Sequence, residues 1–227
     1  LNNYKRIKRN FGEYIIMKEL IFRTSTSLFF LLVLIFSYIY SQLFFILLIS
    51  ILLLSFYEFK QIIFKIKKLN DRKFLTLLIG LIYIFLIFFY IFDSFSDNKN
   101  IIFYFIIICV ATDIGGFVFG KIFKGKKLTK ISPNKTYSGF YGSFFLSFIF
   151  MMIFLDYLNI NFLIISIFTF SVCLLSQLGD IFFSYLKRLA KIKNTGTLLP
   201  GHGGILDRID GIIISVPINF LIYSISL

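Results

Sequence analysis

Seven apolar stretches dominate the chain, at residues 27–40, 43–57, 74–92, 101–120, 140–157, 161–183 and 211–227. Several approach or reach the roughly 20 residues that a helix needs to cross a bilayer. The segments between them are short, and none is a polar block long enough to fold separately. The pattern predicts an all-α protein, a polytopic membrane helix bundle forming one domain over 17–227. Residues 1–16 (LNNYKRIKRNFGEYII) read as an over-extended start or a cytoplasmic tail, with Met17 the more natural beginning. No cleavable signal peptide with a small-residue cleavage site is expected.

Residues 27–57 pose a difficulty, because 31 nearly continuous apolar residues are too many for one untilted crossing and few for two. At a rise of 1.5 Å per residue, one helix would exceed the roughly 30 Å hydrocarbon core by about half. The positive charges decide between the two readings. Lys and Arg cluster in 1–26, 58–73, 121–136 and 184–210, and only Lys99 falls elsewhere. Two short crossings put 23 of the 24 positive charges on one side, as the positive-inside rule requires. The prediction is seven transmembrane helices, with the N-terminus cytoplasmic and the C-terminus outside. In FKQIIFKIKKL (59–69), Phe59, Ile62, Ile63 and Ile66 share a helical face opposite lysines, which predicts a helix lying in the cytoplasmic interface.

The net charge of +13 therefore reads as topology. Abundant Ile, Phe, Lys and Asn also reflect an AT-rich coding bias. No soluble basic face exists for nucleic acid. Cys109 and Cys173 sit in apolar runs without zinc-type spacing and read as free thiols in the core or facing lipid.

Charged groups in spans carry a cost, about 2.5–3.5 kcal/mol for Asp at mid-bilayer on insertion scales, and so mark function. Asp113 in ATDIGGFVFGK and Asp180 in SQLGDIFFS lie toward the basic ends of their spans. The plain alternative is that each snorkels or pairs with a nearby lysine. A third concentration of polar chemistry is LPGHGGILDRID (199–210), which holds the sole histidine, His202. Asp207 and Asp210, three apart, project from one face if they open the last helix, although helix capping would also suit an acid there. Carboxylates without a His or Cys cluster favour a hard, oxygen-liking ion such as Mg²⁺, shared with phosphates. Asp180 is the candidate third ligand. GGFVFGK (115–121), KGKK (124–127), SPNKTYSG (132–139) and SYLKRLAKIK (184–193) suit phosphate binding, though the glycines would equally serve helix packing. Neither a P-loop nor GxGxxG is present, and no Ser-His-Asp arrangement with a plausible elbow.

At SYLKRLAKIKNTGTLLPGHGGILDRID (184–210) the chain resembles the phosphatidate cytidylyltransferases, the CDP-diacylglycerol synthases. Tyr57-Glu58-Phe59, Asp113–Gly116, Ser132-Pro133-Asn134-Lys135-Thr136 and Gln177–Asp180 fall in the order of that family's landmarks. One departure is Asn194, where the family carries Asp after Lys. The resemblance implies transfer of a cytidylyl group from CTP to phosphatidate, with Mg²⁺ and an optional monovalent cation. It implies a multi-pass protein of the bacterial cytoplasmic membrane with its site on the cytoplasmic side, and often a homodimer. On that reading Asp180, Asp207 and Asp210 hold the metal, and Lys187, Arg188 and Arg208 contact phosphates. Ser132, Lys135 and Thr136 form a second phosphate- or nucleotide-facing loop. His202, Gly203, Gly204 and Asp113 line the substrates, His202 as a loop organiser or substrate contact and Asp113 in a positioning role. A CTP-dependent polyprenol or lipid-alcohol kinase, or an ether-lipid cytidylyltransferase, shares parts of the pattern. Composition alone would favour a transporter, but a transporter should spread polar residues through the midplane. A non-catalytic scaffold gives no reason for the Asp-Arg-Ile-Asp spacing.

Overall fold

The structure is a computed structural model, and it describes residues 25, 28, 29, 31–129, 131–196 and 203–226. A helical stretch at 31–39 (α1) leads to α2 (Ser41–Lys65), a 3₁₀ segment (Lys67–Arg72) and α3 (Lys73–Phe123). Then follow α4 (Tyr137–Leu158), α5 (Phe162–Leu189), the single turn α6 (Leu206–Ile209) and α7 (Ile212–Ser226). Among the described residues no strand forms; Lys127 and Thr136 make an isolated bridge. Helix is the expected outcome, because lipid offers no partners and each backbone group must pair within its own segment. α2, α3, α4 and α5 are long and apolar enough to cross a membrane, and α7 is a shorter apolar helix. The chain is thus an all-α, polytopic bundle.

The apolar run 27–57 is interrupted at Tyr40, whose φ of −108° and ψ of 102° end one helix before the next begins. α3, at 51 residues, contains a second break at Asn98, φ −118° and ψ 20°. As a straight rod, α3 would hold Tyr83 and Cys109 roughly 39 Å apart. Yet the Tyr83 hydroxyl donates to the Ile213 carbonyl (3.1 Å), and Cys109 Sγ bonds Ser215 Oγ (2.8 Å). Both reach the first turn of α7, so α3 folds back on itself at Asn98. Its arms, 73–97 and 99–123, correspond to the two apolar runs at 74–92 and 101–120.

Polar contacts separate into two ends. At one end Tyr38 and Tyr157 donate to Asn100 Oδ1 at 3.0 and 3.3 Å, and Lys99 lies over the Tyr38 ring. At the other end lie the basic loops and the acids. Between them, Phe44, Phe95, Tyr104, Phe105, Ile108 and Phe220 anchor a buried apolar cluster. The pairs Tyr104–Thr169 (2.6 Å) and Thr112–Ser147 (2.9 Å) tie helices across it. Both cysteines are free and buried.

The separate interfacial helix expected at 59–69 does not form. α2 runs on to Lys65 and a 3₁₀ segment follows. Ile62, Ile63 and Ile66 are buried against Phe183, Ala190 and Leu206. Their helical spacing encodes a seat for protein, where the periodicity alone suited lipid equally well.

The glycines of GGFVFGK serve helix packing. A Cβ on Gly115 would lie 2.6 Å from the Gly142 carbonyl, one on Gly139 would lie 2.6 Å from the Gly116 carbonyl, and Gly120 faces Thr136. Small residues let α3 and α4 approach backbone to backbone, the usual route to helix association in lipid. A Gly115→Leu substitution should cost about 1–3 kcal/mol through overpacking. Thermal unfolding in detergent would measure it, and an unchanged midpoint would rule out a tight contact there.

Candidate active site

Ser176, Gly179, Asp180, Phe183 and Lys187 recur every three or four positions and therefore share one face of α5. That face meets residues 210–211 at backbone distance. A Cβ on Gly179 would lie 2.6 Å from the Asp210 carbonyl, and one on Gly211 would lie 2.4 Å from Ser176 Oγ. Glycine in both places lets the segments touch, and the Asp180 and Asp210 carboxyls come within hydrogen-bonding reach of each other. Asp113, from the second arm of α3, lies in their field, with Lys135 and Arg208 as the cations that oppose its charge.

Lysines neutralise these acids. Lys135 Nζ bonds Asp180 Oδ2 at 2.7 Å. Lys187 Nζ lies 2.7 Å from Asp207 Oδ1 and 3.9 Å from Asp210 Oδ2, so one ammonium bridges both acids of the Asp-Arg-Ile-Asp stretch. Burial, then the Asp180 charge, pushes the Asp210 carboxyl well above the usual aspartate range, with Asp113 adding to this and Lys187 opposing it. Asp207 behaves oppositely. Burial works to raise it, but the Lys187 ammonium and the amides of Thr195 and Gly204 outweigh burial and hold it below the usual range.

The sequence pattern groups Asp207 with Asp180 and Asp210 as a metal ligand, and in the structure Asp207 shares Lys187 with Asp210 while protein donors engage its oxygens. Its oxygens are occupied: Lys187 takes Oδ1, while Oδ2 accepts from the Thr195 amide (2.8 Å) and the Gly204 amide (3.1 Å), with the Thr195 hydroxyl oxygen 3.1 Å away and its one proton directed to Glu58. It organises the loop, and Lys187 stands between it and the Asp180–Asp210 pair. Among the described residues no three His, Cys, Asp or Glu side chains are grouped to hold an ion by themselves. Mg²⁺ does not require such a cage, since it takes one or two carboxylates and completes its shell with water and phosphate. Asp180 and Asp210 fit that demand. Beside them the buried Ser176 hydroxyl lies against Gly211, a further oxygen facing the same junction.

The other predicted residues divide. Ser132-Pro133-Asn134-Lys135 is a turn closed by the Lys135 amide on the Ser132 carbonyl (3.1 Å), with proline at its favoured second position. Thr136 caps α4 by accepting from the Gly139 amide (3.2 Å). Of that loop, Lys135 alone is seen reaching the acids, while Ser132 and Thr136 shape it. Arg188 turns away and donates to the Ile192 carbonyl (3.4 Å). Gly203 has φ +87° and lies against Asp207 Oδ2, so any side chain there would clash as well as strain the backbone. His202 lies outside the described residues, as do residues 1–16.

Glu58 is the residue that sequence reasoning left without a role. It is buried, and Oε2 accepts from the Thr195 hydroxyl (2.6 Å) and the Leu206 amide (2.9 Å), while Oε1 accepts from the Ile205 amide (3.0 Å). A Cβ on Gly204 would lie 2.3 Å from Glu58 Oε2. The signal was an acid at the edge of an apolar run, opening a lysine-rich segment, but its partners lie 137 to 148 residues away.

A polytopic helical bundle that gathers paired acids and lysines at one end is suited to phosphate chemistry at a membrane surface. The profile of the cytidylyltransferase family matches residues 3–226, and the chain belongs to that family. It is similar to the phosphatidate cytidylyltransferase of Staphylococcus saprophyticus, 37% identical over 153 residues, 65% of this chain and 58% of the relative. The phosphatidate cytidylyltransferase of Staphylococcus aureus is 39% identical over 145 residues, 62% of this chain and 55% of that protein. The chain thus spans little more than half the length of these relatives.

Removing one partner of a partly buried ion pair leaves the other charge uncompensated, at a cost below the roughly 3–5 kcal/mol of a fully buried pair. Lys187→Met should therefore lower stability measurably, and adding Asp207→Asn should recover part of the loss. Thermal unfolding of the single and double variants tests this, and additive effects would show that the pair does not couple.

Proposed function

We propose that this chain transfers the cytidylyl group of CTP to phosphatidate, giving CDP-diacylglycerol and pyrophosphate. The reading is carried by the hydrogen-bonded Asp180–Asp210 pair among Lys135, Lys187 and Arg208. Membership of the cytidylyltransferase family and the names of its relatives support it.

An oxygen of the lipid phosphate attacks the α-phosphorus of CTP. A new P–O bond forms, the bond to the β-phosphate breaks, and pyrophosphate leaves with that electron pair. The attacking monoester is already largely dianionic near neutral pH, its second pKa being about 6, so no strong base is required. The demand is to hold several anions together, which pre-placed cations meet. Lys135, Lys187 and Arg208 supply that charge. Asp180 and Asp210 would hold Mg²⁺, which when bound neutralises phosphate charge and steadies the departing pyrophosphate. Phosphatidate keeps its tails in lipid and slides in laterally, while CTP comes from the water at the basic end. The positive-inside rule puts that end in the bacterial cytoplasm.

The test is an assay of protein in lipid nanodiscs with labelled CTP and phosphatidate. Cytidine should appear in the lipid product, and Asp210→Asn should lower turnover on the order of 10²-fold. A product carrying phosphate but no cytidine would instead make the protein a lipid kinase, and near-normal turnover in Asp210→Asn would remove that residue from the mechanism. A second prediction needs no turnover. Because Asp210 holds its proton more tightly than an ordinary aspartate, Mg²⁺ uptake should release protons. Titration calorimetry in buffers of different ionisation enthalpy measures the release, and buffer-independent heats would argue against Asp210 as a ligand.

A further inference from the structure

α6 is a single turn of four residues, too short to hold its own shape or direction. Asp207 and Arg208 lie within it, and Asp210 follows at its end. Their orientation is therefore set by what grips the turn from outside. α2 supplies two such grips from one face, one helical turn apart. Glu58 accepts the Ile205 and Leu206 amides that open α6, and Ile62 belongs to the buried cluster that receives the Leu206 side chain. The Thr195 hydroxyl lies between Glu58 (2.6 Å) and Asp207 (3.1 Å), linking the start of the loop to its end. Gly196 and Gly204 both lie against the Glu58 carboxylate, where a Cβ would come within 2.8 and 2.3 Å.

Glu58 accepts from one hydroxyl and two amides, all of them neutral donors, and among the described residues no lysine or arginine forms an ion pair with it. A buried carboxylate held this way is a costly means of filling space, and an apolar side chain would fill it with less desolvation. What an apolar side chain cannot do is fix the direction of two amides and a hydroxyl together. We propose that Glu58 is a positioning residue of the reaction centre: its carboxylate orients α6 and so sets the reach of Arg208 and Asp210 toward the reacting phosphates. The kinetic side of this rests on the cytidylyltransferase reading above.

Glu58→Gln keeps the size of the side chain but turns an N–H₂ group toward one of the donors. Misplacing reacting groups by about an ångström costs around 10²-fold, so kcat per folded molecule should fall about 10- to 100-fold. KM for CTP should stay within about threefold, since the loss falls on the transition state. In the full-length protein, hydrogen exchange at 203–210 should quicken, and Glu58→Asp should recover part of both losses. A purely structural residue would lower the melting temperature and leave kcat per folded molecule unchanged, and that result would overturn the proposal. If Glu58→Gln does not fold, Thr195→Val removes one of the three bonds with little change of shape. It should then lower kcat several-fold at constant KM, and a wild-type kcat would again overturn the idea. If the wild-type protein makes no CDP-diacylglycerol, the functional reading fails, and hydrogen exchange alone decides the positioning role. Faster exchange in Glu58→Gln would support it, and unchanged protection would overturn it.

Discussion

The Lys187 ammonium, set between Asp207 and Asp210, is the interaction on which the acidic end of the bundle depends. Charges at the edge of a bilayer are tolerated only when paired and hydrogen-bonded. Lys187 answers two carboxylates together, Lys135 answers Asp180, and Asp207 gathers two amides as well. The outcome is an asymmetric pair of acids. Asp207 is saturated and held below the usual range, while Asp210 is pushed well above it by burial and by Asp180. The first is fixed in the loop by its donors, and the second is left the more readily protonated.

Backbone proximity makes this geometry available. Gly179 and Gly211 bring α5 against the 210–211 segment, and Gly115, Gly116, Gly139 and Gly142 do the same between α3 and α4. Without a hydrophobic driving force between helices in lipid, small residues and interhelical hydrogen bonds supply the association. The pairs Thr112–Ser147 and Cys109–Ser215 belong to that second device. Polar atoms inside the bundle therefore serve two ends: deep ones fasten helices, and those at the basic end form the site.

The paired charges of the described residues are gathered and not spread through the depth of the bundle. Its cations and paired acids converge at one end. Departures from a simple phosphate cradle are informative as well. Arg188 faces its own helix end, Thr136 caps α4, and the glycines at 203 and 204 make room for the carboxylates of Asp207 and Glu58.

The sequence by itself determined the helices and their two polar ends. Apolar length is local information, and in lipid a long apolar segment has little alternative to helix; the lysine and arginine bias then sorts the connections. It also picked out the acids that the fold brings together, because acids in an apolar chain are conspicuous. Only the tertiary structure decided which acids meet. It placed Asp180 against Asp210, turned Asp207 into the loop, folded α3 back at Asn98 and seated Ile62 and Ile63 on protein. It also assigned Glu58 to a loop 147 residues away. These outcomes depend on contacts between distant segments, where a missing Cβ or one shared hydroxyl decides the partner, and no local pattern along the chain carries that choice.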